Sequence, residues 1–334
     1  MKIFKALLII IFPLIIYSNY IIWNSYVIQT SAITDFNTRT YNSDTYQKLM
    51  VLNINFPNLS ATSFPMYGLL AMYHIAFEQY SDALETLNNN KDSNPFLRVK
   101  ESLKADVFHT LGLRDSAFYY SKIAHENLPK NTRHYQQYLT ELVNQKEIDT
   151  IKKIFNESNA KRNPQYWTIF LSSVINIRDK NDKEIDSIAI EALRKFKGNS
   201  EIKAIASFIL YGQENVIKAA ELFDEGIMLF ENNNFNEASK KFIEASILNP
   251  LDYKYFENAG MSLIKAADFN GAIPYFEKVI FSKEIDRPND GKSEFGIGLC
   301  YKEIGENELA CKFLNESMKM NYRAAFNIFS SNCN

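Results

Sequence analysis

Little in this chain points to strands. Apolar–polar alternation bounded by turn signals is hard to find, and glycine is scarce, at 11 of 334 residues. Both absences favour an all-α fold. Cysteine occurs three times, at Cys300, Cys311 and Cys333, an odd count whose spacing matches no zinc motif. None lies near the amino terminus, which excludes a bacterial lipoprotein anchor. The four histidines form no His-x-x-x-His pair, and His74 and His109 occupy similar positions that suit packing. Charge of one sign is also missing: 37 Lys plus Arg face 39 Asp plus Glu with no dense basic run. Nucleic acid binding needs such a stripe to displace counterions, so it is not expected. No nucleophile–base constellation stands out. The expectation is a non-enzyme with no catalytic residue, cofactor or metal.

Two motifs fail on inspection. Gly291-Lys292-Ser293 resembles the end of a phosphate-binding loop, but Asp286 stands where its first glycine belongs. The segment from Asp286 to Gly291 half-mimics a calcium loop, with Ile297 in place of the closing acid and Pro288 among the ligands.

What is present is a repeat. Between Leu222 and Pro250, Leu222, Gly226 and Leu229 recur at i, i+4, i+7, as do Ala238, Phe242 and Ala245. Each set lies on one helical face. Asn232 to Asn234 break the pattern between them, and Pro250 ends it. Glycine inside a helix costs about 1 kcal/mol relative to alanine, so Gly226 implies close approach of a second helix. Moving on 34 residues takes Gly226 to Gly260, Phe235 to Phe269, Ala238 to Ala272 and Phe242 to Phe276. A third copy carries Gly298, Tyr301, Gly305 and Ala310, displaced by 38 residues, so the loop Glu284–Gly291 holds a four-residue insertion.

These positions resemble the tetratricopeptide repeat (TPR), a 34-residue helix-turn-helix unit. The resemblance implies an α-solenoid of antiparallel hairpins that binds a protein or peptide in a groove lined by first helices. Carried onto this chain, the groove residues are Phe223, Ile227, Phe230, Asn258, Met261, Phe295 and Lys302. The structural residues are Gly226, Ala238, Phe242, Gly260, Ala272, Phe276, Gly298 and Ala310. A carboxylate clamp of the kind some TPR domains use is not expected. Asn258 and Lys292 match it, but Phe223, Ile227 and Gly296 replace the rest.

Upstream, Ala83 and Ala117 are 34 apart, as are Pro95 and Pro129, and Ala71 and Ala105 stand where Gly226 does. Residues 44–212 therefore read as divergent repeats and residues 213–334 as clear ones, with the period weakening after Asn131. Cys300 and Cys311 fall on the two helices of one hairpin, where a disulfide can form; buried thiols are the expected state.

The amino terminus carries Lys2 and Lys5, then the apolar run Ala6–Tyr17, and after Ser18-Asn19 a second run to Trp23. Together these match the length that crosses a bilayer, with Tyr20, Trp23 and Tyr26 as an interfacial belt. The first small-residue site, Thr30-Ser31-Ala32, lies far beyond Tyr17, which favours an uncleaved anchor over a signal peptide. Residues 1–29 are read as the anchor and 30–43, rich in Thr, Ser and Asn, as a linker. The two lysines keep the amino terminus cytoplasmic. Assuming a bacterial origin, the protein is single-pass in the inner membrane with its body in the periplasm. The segment Tyr20-Ile21-Ile22-Trp23-Asn24-Ser25-Tyr26 ahead of repeats also resembles the tail of O-antigen ligase or polymerase proteins. That resemblance implies an accessory role beside polysaccharide-assembly proteins.

Overall fold

The structure is a computed structural model that describes residues 2–158, 162–179 and 182–333, with side chains from residue 11 onward. Among the described residues it is all-α, with a single isolated bridge between Leu59 and Pro65 and no β-strand, and built from antiparallel helical hairpins. It divides into two compact units, Met1–Arg162 and Asn163–Asn334.

The first unit holds α1 (Lys2–Thr38), α2 (Ser43–Val51), α3 (Met66–Ala76), α4 (Tyr80–Asn89), α5 (Val99–Thr110), α6 (Arg114–Asn127), α7 (Thr132–Asn144) and α8 (Ile148–Glu157). The second holds α9 (Pro164–Val174), α10 (Lys183–Lys195), α11 (Ser200–Tyr211), α12 (Gln213–Glu231), α13 (Phe235–Leu248), α14 (Tyr253–Lys265), α15 (Phe269–Phe281), α16 (Lys292–Glu303), α17 (Asn307–Lys319) and α18 (Arg323–Asn332).

One backbone device makes six of the hairpin turns. Glu78, Gly112 and Lys146 in the first unit, and Asn233, Ala267 and Gly305 in the second, have positive φ between 59° and 87°. The amide after each reaches back to a carbonyl five residues earlier: Gln79 to His74, Leu113 to Phe108, Glu147 to Leu142, Asn234 to Leu229, Asp268 to Leu263 and Glu306 to Tyr301. This is the Schellman closure, which satisfies carbonyls left open at a helix end and turns the chain. The turns recur at the repeat spacing, so the first unit contains a third copy centred on Lys146, beyond the point where the sequence period faded.

Measured from the turn, the core positions coincide. Five residues on stand Ala83, Ala117, Ile151, Ala238, Ala272 and Ala310, all buried. Nine on stand Leu87, Ser121, Phe155, Phe242, Phe276 and Leu314, all buried. Seven before stand Ala71, Ala105, Leu139, Gly226, Gly260 and Gly298. The last two sets pack against each other across the hairpin. A Cβ on Gly226 would meet the Phe242 ring at 2.6 Å, and one on Gly260 the Phe276 ring at 2.7 Å. The glycines are the space in which the rings sit.

One expectation is corrected. Residues 30–43 are not a linker up to Thr38, because α1 continues through them. Thr30, Ser31, Thr34 and Thr38 turn their hydroxyls onto carbonyls four residues back, which satisfies these polar groups within the helix. Ile28 and Ala32 on the same helix pack against Tyr46, Leu49, Met66, Leu69, Leu70 and Tyr73. The compact units part at 162/163. Arg178 donates to the Ile209 carbonyl and to Asp186, while Arg194 pairs with Glu284 and the Gly198 amide with Asp286. The four-residue insertion is thus a clasp that ties the α10 end to the later repeats. The turn expected over 179–182 lies partly outside the described residues.

The apolar segment is helical backbone throughout its described length, Pro13 included. Among the described residues α1 is the one helix long and apolar enough to cross a bilayer, a test that a signal sequence near the amino terminus also passes.

Candidate ligand groove on the helical repeats

The groove residues expected in the second unit have packing partners. The Phe223 ring lies 5.5 Å from Phe242 and 5.3 Å from Tyr255, so it fills the joint between successive hairpins. Ile227 and Phe230 pack on the cluster of Ala238, Phe242 and Ala259, with Phe230 also 5.2 Å from Phe235. Met261 packs on Ala272, Phe276, Ile297, Cys300 and Phe313. Phe295 lies 5.1 Å from Tyr322. Asn258 donates to the Lys254 carbonyl at 2.8 Å, and Lys302 pairs with Glu303 at 3.2 Å. All seven are half-buried. They share a face, but repeat-to-repeat packing uses much of it.

Gly226, Ala238, Phe242, Gly260, Ala272, Phe276, Gly298 and Ala310 are all buried. Gly296 joins them, since a Cβ there would meet the opposite side of the Phe276 ring at 2.5 Å. Deeper in the same joint, Glu257 is buried, accepts from the Ser293 hydroxyl at 2.5 Å and pairs with Lys292 at 3.3 Å. Lys292 is thereby spoken for by a protein carboxylate. Gly291, the failed phosphate loop's glycine, has φ +75° and accepts from the Ser317 hydroxyl.

Cysteine pairing differs from the pair considered. Cys311 bonds Cys333, which follows α18, while Cys300 is a buried free thiol whose pKa burial pushes up to about 12. Cys300 lies in the core cluster of its hairpin, and the chain after Lys319 folds back to bring Cys333 to the half-exposed Cys311.

A polar cleft opens in the first unit. There α3, α5 and α7, the first helices of three hairpins, lie side by side. Between α5, α6 and α7 opens a cleft of about 380 Å³ lined by Arg39, Ala105, Asp106, His109, Ser121, Arg133, Gln136, Gln137, Thr140 and Glu141. Its origin is one residue. Where Phe242 and Phe276 put a ring against glycine and Leu87 faces Ala71, Ser121 faces Ala105, so small meets small and space remains.

The walls carry an ordered polar network. Asp106 accepts from Arg133 at 2.5 Å and from Gln137, whose side chain also donates to the Ser102 carbonyl at 3.1 Å. Glu141, buried, bonds His109 Nδ1 at 2.6 Å. His109 and Arg133 keep about half their side-chain surface exposed. Arg39, at the end of α1 with φ +55°, is exposed at the rim. An apolar recess of about 150 Å³ adjoins through Asp106 and Arg133, lined also by Phe36, Tyr41, Met72, Ile75, Ala76 and Leu103. Sequence reading treated His109 as packing and missed this site. The signal was available: aligning the turns sets Ser121 against Leu87 and Phe155.

No family model matches the chain, and no curated protein matches its sequence. Solved structures of tetratricopeptide-repeat proteins are similar to it. The TPR2AB domain of yeast Sti1, in a complex with pHSP90, is 17% identical over 72% of this chain and 100% of that one, with a TM-score of 0.33. A tetratricopeptide repeat protein from Parabacteroides merdae is 10% identical over 93% and 100%, with a TM-score of 0.30. YrrB, a TPR protein with an unusual peptide-binding site, is 15% identical over 75% and 96%, with a TM-score of 0.28. The likeness to O-antigen ligase tails draws no support from these comparisons.

Proposed function

We propose that this chain is a non-enzymatic, membrane-anchored scaffold of the bacterial cell envelope that binds a protein or peptide partner through its helical repeats. The observation that carries the binding reading is the cleft opened by Ser121. Asp106 pairs with Arg133 and accepts from Gln137, Glu141 is hydrogen-bonded to His109, and Arg39 stands exposed at the rim. That arrangement suits a segment presenting an acidic group, with an apolar side chain for the recess beside Met72 and Leu103. In the second unit, Phe223, Ile227, Phe230, Asn258, Met261, Phe295 and Lys302 offer only their outer edges, and we assign them a secondary contact.

The anchor and the export reading rest on the apolar α1 and its two leading lysines. The Cys311–Cys333 disulfide agrees with an oxidising compartment such as the periplasm. Alkaline phosphatase fused after Thr45 is expected to be active. Crosslinked capture by the full chain, repeated with Ser121→Leu and with Phe223→Ala/Lys302→Ala, tests the site. Ser121→Leu should fill the cleft, leave the melting temperature unchanged or higher, and lose the partner. Retention by Ser121→Leu with loss by the double variant would move the site to the second unit.

A further inference from the structure

The first unit carries an apolar ledge at the end that faces the span. Because α1 is unbroken from its apolar segment to Thr38, its direction relative to the first hairpins is set. Three attachments hold it: Ile28 and Ala32 in the core, Gln29 accepting the Ala61 amide at 3.1 Å, and Asp35 accepting from Tyr73 and from the Asn42 amide. Asn42 caps α2, so α2 starts level with Asp35, and the loop after it returns to Gln29. The helix therefore descends antiparallel to α1. The eight steps from Ser43 to Val51, at about 1.5 Å each, lower Val51 by about 12 Å, to the level of residue 27, only about 6 Å above Trp23 along the axis.

Near that end three apolar side chains are exposed: Met50 by 52%, Val51 by 86% and, in the loop that follows, Phe56 by 51%. Single exposed apolar residues are ordinary, but these fall within seven positions at one end of the unit. No Asp, Glu, Lys or Arg occurs between Lys48 and Glu78. Below them on α1, Tyr20, Trp23 and Tyr26 are also exposed, as interfacial aromatics of a span are.

We propose that Met50, Val51 and Phe56 enter the interfacial zone of the phospholipid bilayer beside Trp23, giving the body a second membrane contact. This rests on the reading of α1 as a span. The ledge makes the first unit lean on the bilayer instead of standing free on a stalk, and it limits tilt about the single helix. The same patch covered by a second copy of the chain is the competing arrangement.

The test uses the full chain in vesicles of phosphatidylethanolamine and phosphatidylglycerol. An environment-sensitive fluorophore is placed at Val51→Cys, Phe56→Cys or, at the far end of α1, Thr40→Cys. The native cysteines do not compete, since Cys300 is buried and the other two are paired. Labels at 51 and 56 should be blue-shifted, quenched by lipids spin-labelled near the headgroup, and several-fold less open to aqueous iodide than the label at 40. Equal iodide access at all three sites, in chains that resist carbonate extraction, overturns the ledge while the span stands. Shielding from both quenchers assigns the patch to a protein contact and also overturns it. Release of the chain by carbonate removes the span reading and the ledge with it.

Discussion

Gly260→Ala is the sharpest probe of how the repeats pack, because two known effects oppose each other there. In an exposed helix interior this change stabilises by about 1 kcal/mol through propensity alone. Here the new Cβ would stand 2.7 Å from two atoms of the Phe276 ring. The ring is fully buried and cannot slide away, because on its other side Gly296 leaves it no more room. Overpacking of this kind costs about 1–3 kcal/mol, and confinement on both sides puts this site near the upper end. The net expectation is a loss of about 1–2 kcal/mol, the difference between those two effects. Shortening the ring should rescue it. Gly260→Ala/Phe276→Leu recreates the pair Ala71 and Leu87, which the first unit already buries. The double variant should recover most of the loss, a coupling of about 1 kcal/mol or more between contacting residues. Urea titrations followed by helical circular dichroism would read the cycle. Hydrogen exchange on α14–α16 would localise it, since repeat arrays can unfold in parts. If Gly260→Ala proves as stable as the wild type, or if the two changes simply add, the picture of a ring held between two glycines is wrong.

Two further outcomes follow from the same geometry. Ala267 sits at φ +61° in a hairpin turn where two other copies use Gly, and Ala267→Gly should stabilise by about 0.5–1 kcal/mol after backbone entropy is set against strain, as a shift in urea midpoint would show. His125 and His134 are buried in the first unit, and burial pushes both pKa values down to about 4 from 6.5. The unfolded chain then binds more protons between those values, so this stability is full above pH 6.5 and is lost as pH falls toward 4. At pH 5 each ring should cost about 2 kcal/mol relative to pH 7.5, and a flat urea midpoint from pH 7.5 to 5 would contradict their burial as neutral groups.

The repeat plan was readable because it is local. Helical faces appear as spacings of four and three, and the small residues at Gly226 and Gly260 record how close a neighbour comes. Even the faded copy around Lys146 was there, hidden because its turn residue is Lys and its small position is Leu139. A Schellman turn needs only a backbone conformation, which a non-glycine residue can adopt at modest cost. The stripe from Phe223 to Lys302 is half-buried by its neighbours, and periodicity does not say how much of a face the next hairpin covers.

Tertiary structure decided what depends on residues far apart in sequence. Ser121 opens a cleft only because α7 and Arg39 close around the gap it leaves. The inserted loop is a clasp because α10 places Arg194 beside Glu284. Cys311 pairs with Cys333 and not Cys300 because α18 folds back across α17. Residues 30–38 are helix because Ile28 and Ala32 are buried under the first hairpin. Hydrogen-bond periodicity belongs to the chain itself, whereas packing belongs to whatever the fold brings alongside.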